Sequence, residues 1–327
     1  MTVAVLLLIA SAAAIYVCCE SFTNGVEWLG FRLKLGQTAT GTILAALGTA
    51  LPEGVVTLVA TAFAESPAQQ SIGIGAAMGG PMVLATVAYA LTGFVLLSLK
   101  RVPLLLPDDQ RRLSGNQVAF LGIFIVKLGL GIVAFTAKPW FGWAFLAAYL
   151  LYLRAEMRHP PEAHEGEMAP LKIRPRAAQP ALGWILLQCL GTAGIIFIAS
   201  HFFVVELDKV TPALGLSPQL VAMFVAPVAT ELPELLNALI WVRQGKDRLA
   251  LANISGSMMI QATIPTSFGL FFTPWILDRS LVMAGIATAA AIVYLIVLFR
   301  RRRVQPMLLI QVGWAFVGLV AAIIFLG

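Results

Sequence analysis

The chain has 327 residues, of which 59% are hydrophobic and 12% charged, and it carries a net charge of +6. That is membrane composition, and it excludes an ordinary soluble domain. The positive balance calls for no nucleic-acid partner, because the basic residues are distributed as a topology signal.

In chain order, the apolar stretches predict ten spans, at about 2–19, 38–64, 71–99, 117–137, 139–154, 181–204, 218–242, 248–273, 280–299 and 306–326. The first lacks a basic leader, so it reads as a span rather than a cleaved signal peptide. With the N-terminus outside, the inner loops hold 18 basic residues: Arg32 and Lys34; Lys100, Arg101, Arg111 and Arg112; Arg154, Arg158, Lys172, Arg174 and Arg176; Arg243, Lys246 and Arg248; and Arg300 to Arg303. The outer loops hold only Lys138, Lys209 and Arg279, and Lys127 falls within the fourth span. This asymmetry sets the span count and places both termini outside. Cys18, Cys19 and Cys189 lie in or at the ends of spans without metal-ligand spacing, and they read as buried inert thiols.

The second span carries Gly48-Thr-Ala-Leu-Pro-Glu53, and the third carries the glycine-rich run Ile72-Gly-Ile-Gly-Ala-Ala-Met-Gly-Gly-Pro81. The Leu99–Leu113 stretch, with Pro103 and Pro107, reads as an inner connector. Between Glu156 and Gln179 runs the longest polar segment, which contains His159 and His164 among Glu162, Glu165 and Glu167. Two prolines between the histidines give no fixed metal geometry, so this is a solvated linker that is dispensable for activity. It divides the chain into a first five-helix repeat at 1–155, a linker at 156–180 and a second five-helix repeat at 181–327. An odd number of spans per half makes the second half enter from the opposite face. The expected fold is all-α, ten transmembrane helices in two inverted-topology repeats, an architecture used by secondary transporters. His201 lies near an outer boundary and reads as interfacial.

The seventh span repeats the motif of the second as Ala229-Thr-Glu-Leu-Pro-Glu234, and the eighth follows with Ala252-Asn-Ile-Ser-Gly-Ser257. A charge at mid-membrane costs about 3 kcal/mol to insert, and a helix-interior proline roughly as much again. A segment that keeps both must use them. A dehydrated hard cation needs six to eight oxygens, which carboxylates, hydroxyls and freed carbonyls supply. Thr49 with Glu53, and Thr230 with Glu234, stand at i, i+4 on one helical face, and proline frees the carbonyl a turn before it. Two such units from inverted repeats make an oxygen cage. No hydroxyl is paired with a histidine and no phosphate loop is present, so the chain does not read as an enzyme and needs no cofactor.

At these residues the chain resembles the sodium/calcium exchanger family, whose two alpha repeats carry such motifs before glycine-rich spans. The resemblance covers essentially the whole chain, in a prokaryotic-type ten-span form with a degenerate first repeat. It implies cation-ligand roles for Thr49, Glu53, Thr230, Glu234 and Ser257, with Glu53 and Glu234 as the carboxylates on the metal. Where the family has a serine after each threonine, this chain has Ala50 and Glu231. The family's Gly-Ser of the first repeat is Gly79-Gly80, and its Asn or Asp four residues on is Leu84 in the first repeat and Gln261 in the second. Glu231 and Gln261 thus join the candidate ligands, and Lys127 becomes a candidate charge partner, with Glu231 its leading mate.

The expected activity is antiport of Ca2+ against Na+ by alternating access at the membrane midplane. Proton coupling on the same fold is the first rival, and a non-transporting scaffold or sensor the second. The expected partners are inorganic cations and lipid, in a bacterial inner membrane.

Overall fold

The computed structural model describes residues 2–32, 45–156 and 169–326, with the side chains of 45–49, 156 and 326 outside that description. The described residues are helical and carry no strand. In order they form α1 (Thr2–Arg32), α2 (Ala45–Ala62), α3 (Pro67–Val83), a π-helical turn at Leu84–Ala88, α4 (Tyr89–Ser98), α5 (Pro107–Ile132) and α6 (Trp140–Glu156). The second half holds α7 (Leu182–Leu214), α8 (Pro218–Thr230), α9 (Leu232–Arg243), α10 (Asp247–Phe272), α11 (Arg279–Arg300), α12 (Pro306–Val312) and α13 (Trp314–Leu326). The described residues of each expected span fall largely on helix, while 38–44 of the second lie outside the described ones. Among the described residues, six helical stretches are long and apolar enough to cross a bilayer, and a seventh is added if the bent α8–α9 pair makes one crossing. Of the remainder, α6 has only 17 residues, and α10 carries a polar stripe.

The helix packing is that of two inverted repeats. The helix α1 lies along α7, its equivalent in the second half. Asn24 bonds Gln188, while Ile15 clusters with Ala199 and Phe203, so the two run antiparallel. Likewise α5 runs antiparallel to α11, with Leu128 against Gly285 at one end and Val118 beside Phe299 at the other. Antiparallel equivalents are what inversion requires. The cross-pairs match as well: α2 packs on α10, and α3 packs on α8.

In lipid the driving force for such contacts is close packing and polar bonding rather than exclusion of water. Gly75 and Gly79, one turn apart on α3, lie directly against the backbone carbonyls of Gln219 and Met223 on α8, where any side chain would collide. The glycine run is therefore a packing surface over these two positions. Between the α4–α5 connector and the start of α10, Arg101 grips Asp247 at 2.6 and 2.8 Å and also donates to the Val242 carbonyl. Arg248 pairs with Asp109 at 2.7 Å. Asp247 is fully buried, and these two pairs tie the α4–α5 connector of the first half to the α9–α10 turn of the second.

Two expectations change. The first span was drawn to end at Cys19, but α1 continues to Arg32. Its polar extension is stabilised by contacts that hydropathy does not record, because Asn24 and Trp28 donate to the Ala169 carbonyl and Arg32 to that of Pro180. For the same reason the polar segment is not a free tether throughout. Leu171 is wholly buried, Lys172 reaches Glu20 at 2.9 Å, and Gln188 accepts from the Ile173 amide. Residues 169–180 clasp α1 to α7, so dispensability narrows to 157–168. Those residues, with His159, His164 and the acids around them, lie outside the described ones.

Candidate cation site

Local backbone chemistry shapes the site. On the second repeat, α8 stops at Thr230, Glu231 takes φ −95° and ψ −10°, and α9 starts at Leu232 with Pro233 in its first turn. The axes of the two helices differ by 49°. Proline pre-sets the dihedral of a helix's first turn and lacks an amide hydrogen, so the break costs little and leaves the Ala229 carbonyl without its helical donor. The C-terminal end of α8 presents carbonyls, and the N-terminal end of α9 presents amides beside Glu234, favouring negative charge there. In the first repeat, α2 runs unbroken through Pro52.

Four expected ligands form one chain of contacts. The Thr230 hydroxyl lies 2.9 Å from Glu53 Oε2, 3.1 Å from Glu231 Oε1 and 3.1 Å from the Ala226 carbonyl. Gln261 then donates its amide to the other Glu231 oxygen at 2.7 Å. Glu53, Thr230, Glu231, Glu234, Ser257 and Gln261 are all fully buried. Glu53 Oε1, Ser257 Oγ and Gln261 Oε1 have no hydrogen-bond partner among the described residues, and neither does Thr57 Oγ1, one turn below Glu53. Asn253, Ser257 and Gln261 recur at i, i+4, i+8 along α10. Buried oxygens left without donors are costly unless a cation uses them, so the donor set fits a cation as substrate. Thr49 is on α2, but its side chain lies outside the described ones.

Lys127 corrects an expectation. Its Nζ makes no ion pair with Glu231; it donates instead to the Ala77 carbonyl of α3 at 2.7 Å. That carbonyl is available because the residue four positions on is Pro81, which has no amide hydrogen to give it. A lone sequence shows the lysine and the carboxylates, but not which helix faces which.

One residue at the site escaped the sequence reading. Gly80 leaves room for the second repeat: a Cβ there would lie 2.9 Å from Gln261 Oε1 and 3.1 Å from Glu231 Oε1. The signal was present, since the family's serine was missing at the same level as the additional glutamate. Cys19 is fully buried on α1 and Cys189 is buried on α7, as expected of thiols within spans.

Comparison with known proteins gives the family and the fold. The family model described as sodium/calcium exchanger protein matches residues 3–157 and 184–326. The putative antiporter CaxA of Alkalimonas amylolytica is 23% identical over 300 residues, covering 86% of this chain and 84% of that protein. An uncharacterized membrane protein of Methanocaldococcus jannaschii, MJ0091, is 22% identical over 245 residues, or 74% of this chain and 73% of its own length. Among solved structures, the crystal structure of the H+/Ca2+ exchanger CAX superposes with a TM-score of 0.78 at 18% identity, covering 99% of this chain and 82% of that one. The sodium-calcium exchanger NCX_Mj soaked with 100 mM Na+ and 10 mM Sr2+ gives 0.64 at 18% identity, covering 99% of both chains. This chain is an integral membrane protein of the sodium/calcium exchanger family, a family of secondary transporters and not of enzymes.

Proposed function

We propose that the protein is a secondary active antiporter that exchanges a divalent cation of the calcium class against protons, by alternating access at the Glu53–Thr230–Glu231–Glu234 site. The observation that carries the coupling is the single Thr230 hydroxyl held within 3.1 Å of two carboxyl groups. A hydroxyl has one hydrogen and can donate it to one of them. The other contact becomes a hydrogen bond only if that carboxyl itself carries a proton. A divalent cation bound by both carboxylates replaces such a proton, which is the elementary exchange. The ligand inventory points the same way: Ala50, Gly80 and Leu84 carry no oxygen where the resembled family has Ser, Ser and Asn or Asp, while Glu231 adds a carboxylate. Fewer neutral oxygens and one more acid suit protons and a divalent ion better than several sodium ions.

The test is Ca2+ flux in proteoliposomes. The expected result is transport driven by an imposed pH gradient and indifferent to a sodium gradient. Drive by sodium alone restores the Na+/Ca2+ reading, and flux under neither gradient favours the non-transporting one.

A further inference from the structure

The candidates outside the ligand set are the inner cavity beside Arg101 and Pro306, the clasp over α1 and α7, and the buried Lys127. Lys127 carries furthest. It stands five residues from the outer end of α5, close enough for a lysine to snorkel its ammonium into the headgroups. It does not; it is fully buried. Its Nζ points instead at Ala77, about one helical turn from Gly80 and the Glu231–Gln261 pair. Phe124 and Trp275 face the ammonium at 5.7 and 5.8 Å, distances at which aromatic faces stabilise a cation. Trp275 is itself pinned, donating its indole N–H to the Lys127 carbonyl at 3.2 Å from a left-handed backbone position at φ 48°. Lys138 fastens the same loop by bonding the carbonyls of Pro274 and Trp275.

The charged groups of the neighbouring site are carboxylates: Glu53 on α2, joined through the Thr230 hydroxyl to Glu231 at the α8–α9 break, and Glu234 in the first turn of α9. The remaining packed elements, α3, α10 and α11, contribute no charge except at their ends. We infer that Lys127 is a tethered monovalent cation of the transport site, supplying one fixed positive charge against three carboxylates in the position where a mobile coupling cation would otherwise be needed. Three carboxylates and one ammonium leave two negative charges, the complement of one divalent ion or two protons. A buried site this close to charge balance avoids the cost of an orphan charge in either loaded state. The inference rests on the proton-coupled reading, because a site already neutralised from within needs no sodium.

Neutral substitutions test it. In Lys127→Met and Lys127→Gln the missing charge is expected to be supplied from solution. The purified full-length variants should gain a sodium-dependent rise in Tm of about 3 °C over choline, which wild type and Lys127→Arg lack. In proteoliposomes under a pH gradient, their Ca2+ flux should fall about tenfold without sodium and recover when sodium is added. Folded neutral variants with no sodium response overturn the proposal. So does failure of both to fold at any sodium concentration, which makes the lysine a structural cation. The Tm comparison needs no gradient, so it stands even if wild-type flux proves to be sodium-driven, and that result would sink the coupling reading alone.

Discussion

The two Leu-Pro-Glu segments begin from nearly the same sequence and end in different shapes. In the first, Pro52 sits inside an intact helix and Ala50 is an apolar core residue. In the second, the residue matching Ala50 is Glu231, and there the helix breaks by 49°. The Glu231 side chain is held from two sides, by Thr230 and by Gln261. It occupies the space that Gly80 leaves on the opposite repeat. The pattern repeats one helix later. The α10 helix is an unbroken polar stripe, whereas α3 gives way to a π-helical turn at Leu84, where Pro81 has removed an amide hydrogen. The first repeat brings Glu53, the room at Gly80 and, through the Ala77 carbonyl, a berth for Lys127, while the second brings Thr230, Glu231 and Gln261. Inverted repeats that started equal can thus divide the work of one site.

The largest effect should come from the feature the repeats still share. Glu53→Gln and Glu234→Gln each remove one charge from the cage while keeping its shape, and each should abolish nearly all Ca2+ flux in proteoliposomes without loss of membrane insertion. Wild-type flux in both variants would remove these residues from the site.

The division of labour is probed next by exchanging it. Gly80→Ser puts a side chain against Gln261 and Glu231 and should lower flux about tenfold, with a stability loss of 1–3 kcal/mol typical of overpacking. Adding Glu231→Ser vacates the contested space, and the double variant should be more stable than additivity allows. Strict additivity in a thermal denaturation cycle would mean that the two positions do not share that space.

An effect on stability, with a smaller effect on flux, is expected where the halves are tied together. Arg101→Met leaves Asp247 buried without its bidentate partner, at a cost of about 3 kcal/mol, read as a lowered Tm. An unchanged Tm would show the Arg101–Asp247 tie to be incidental. The smallest contrast lies within the linker. Replacing 157–168 by a flexible stretch of equal length should leave flux nearly intact. Leu171→Ala, in the clasp, should cost about 2–3 kcal/mol as a core truncation. Equal effects from the two changes would dissolve the distinction between tether and clasp.

The sequence by itself determined the membrane class, the helical fold, the two motifs and their placement in oppositely entering halves. Those are carried by local quantities: hydropathy along a span, the bias of lysine and arginine across loops, and the effect of proline on its own turn. The burial of Glu53 and Glu234 was legible because each lies deep in an apolar segment wherever the other helices lie. Only the tertiary structure decided the partner of Lys127, the role of Gly80 and the ordering of residues 169–180. Each of these depends on which helix faces which and at what depth. In an inverted repeat those contacts join residues far apart in the chain, so no window of sequence contains both partners.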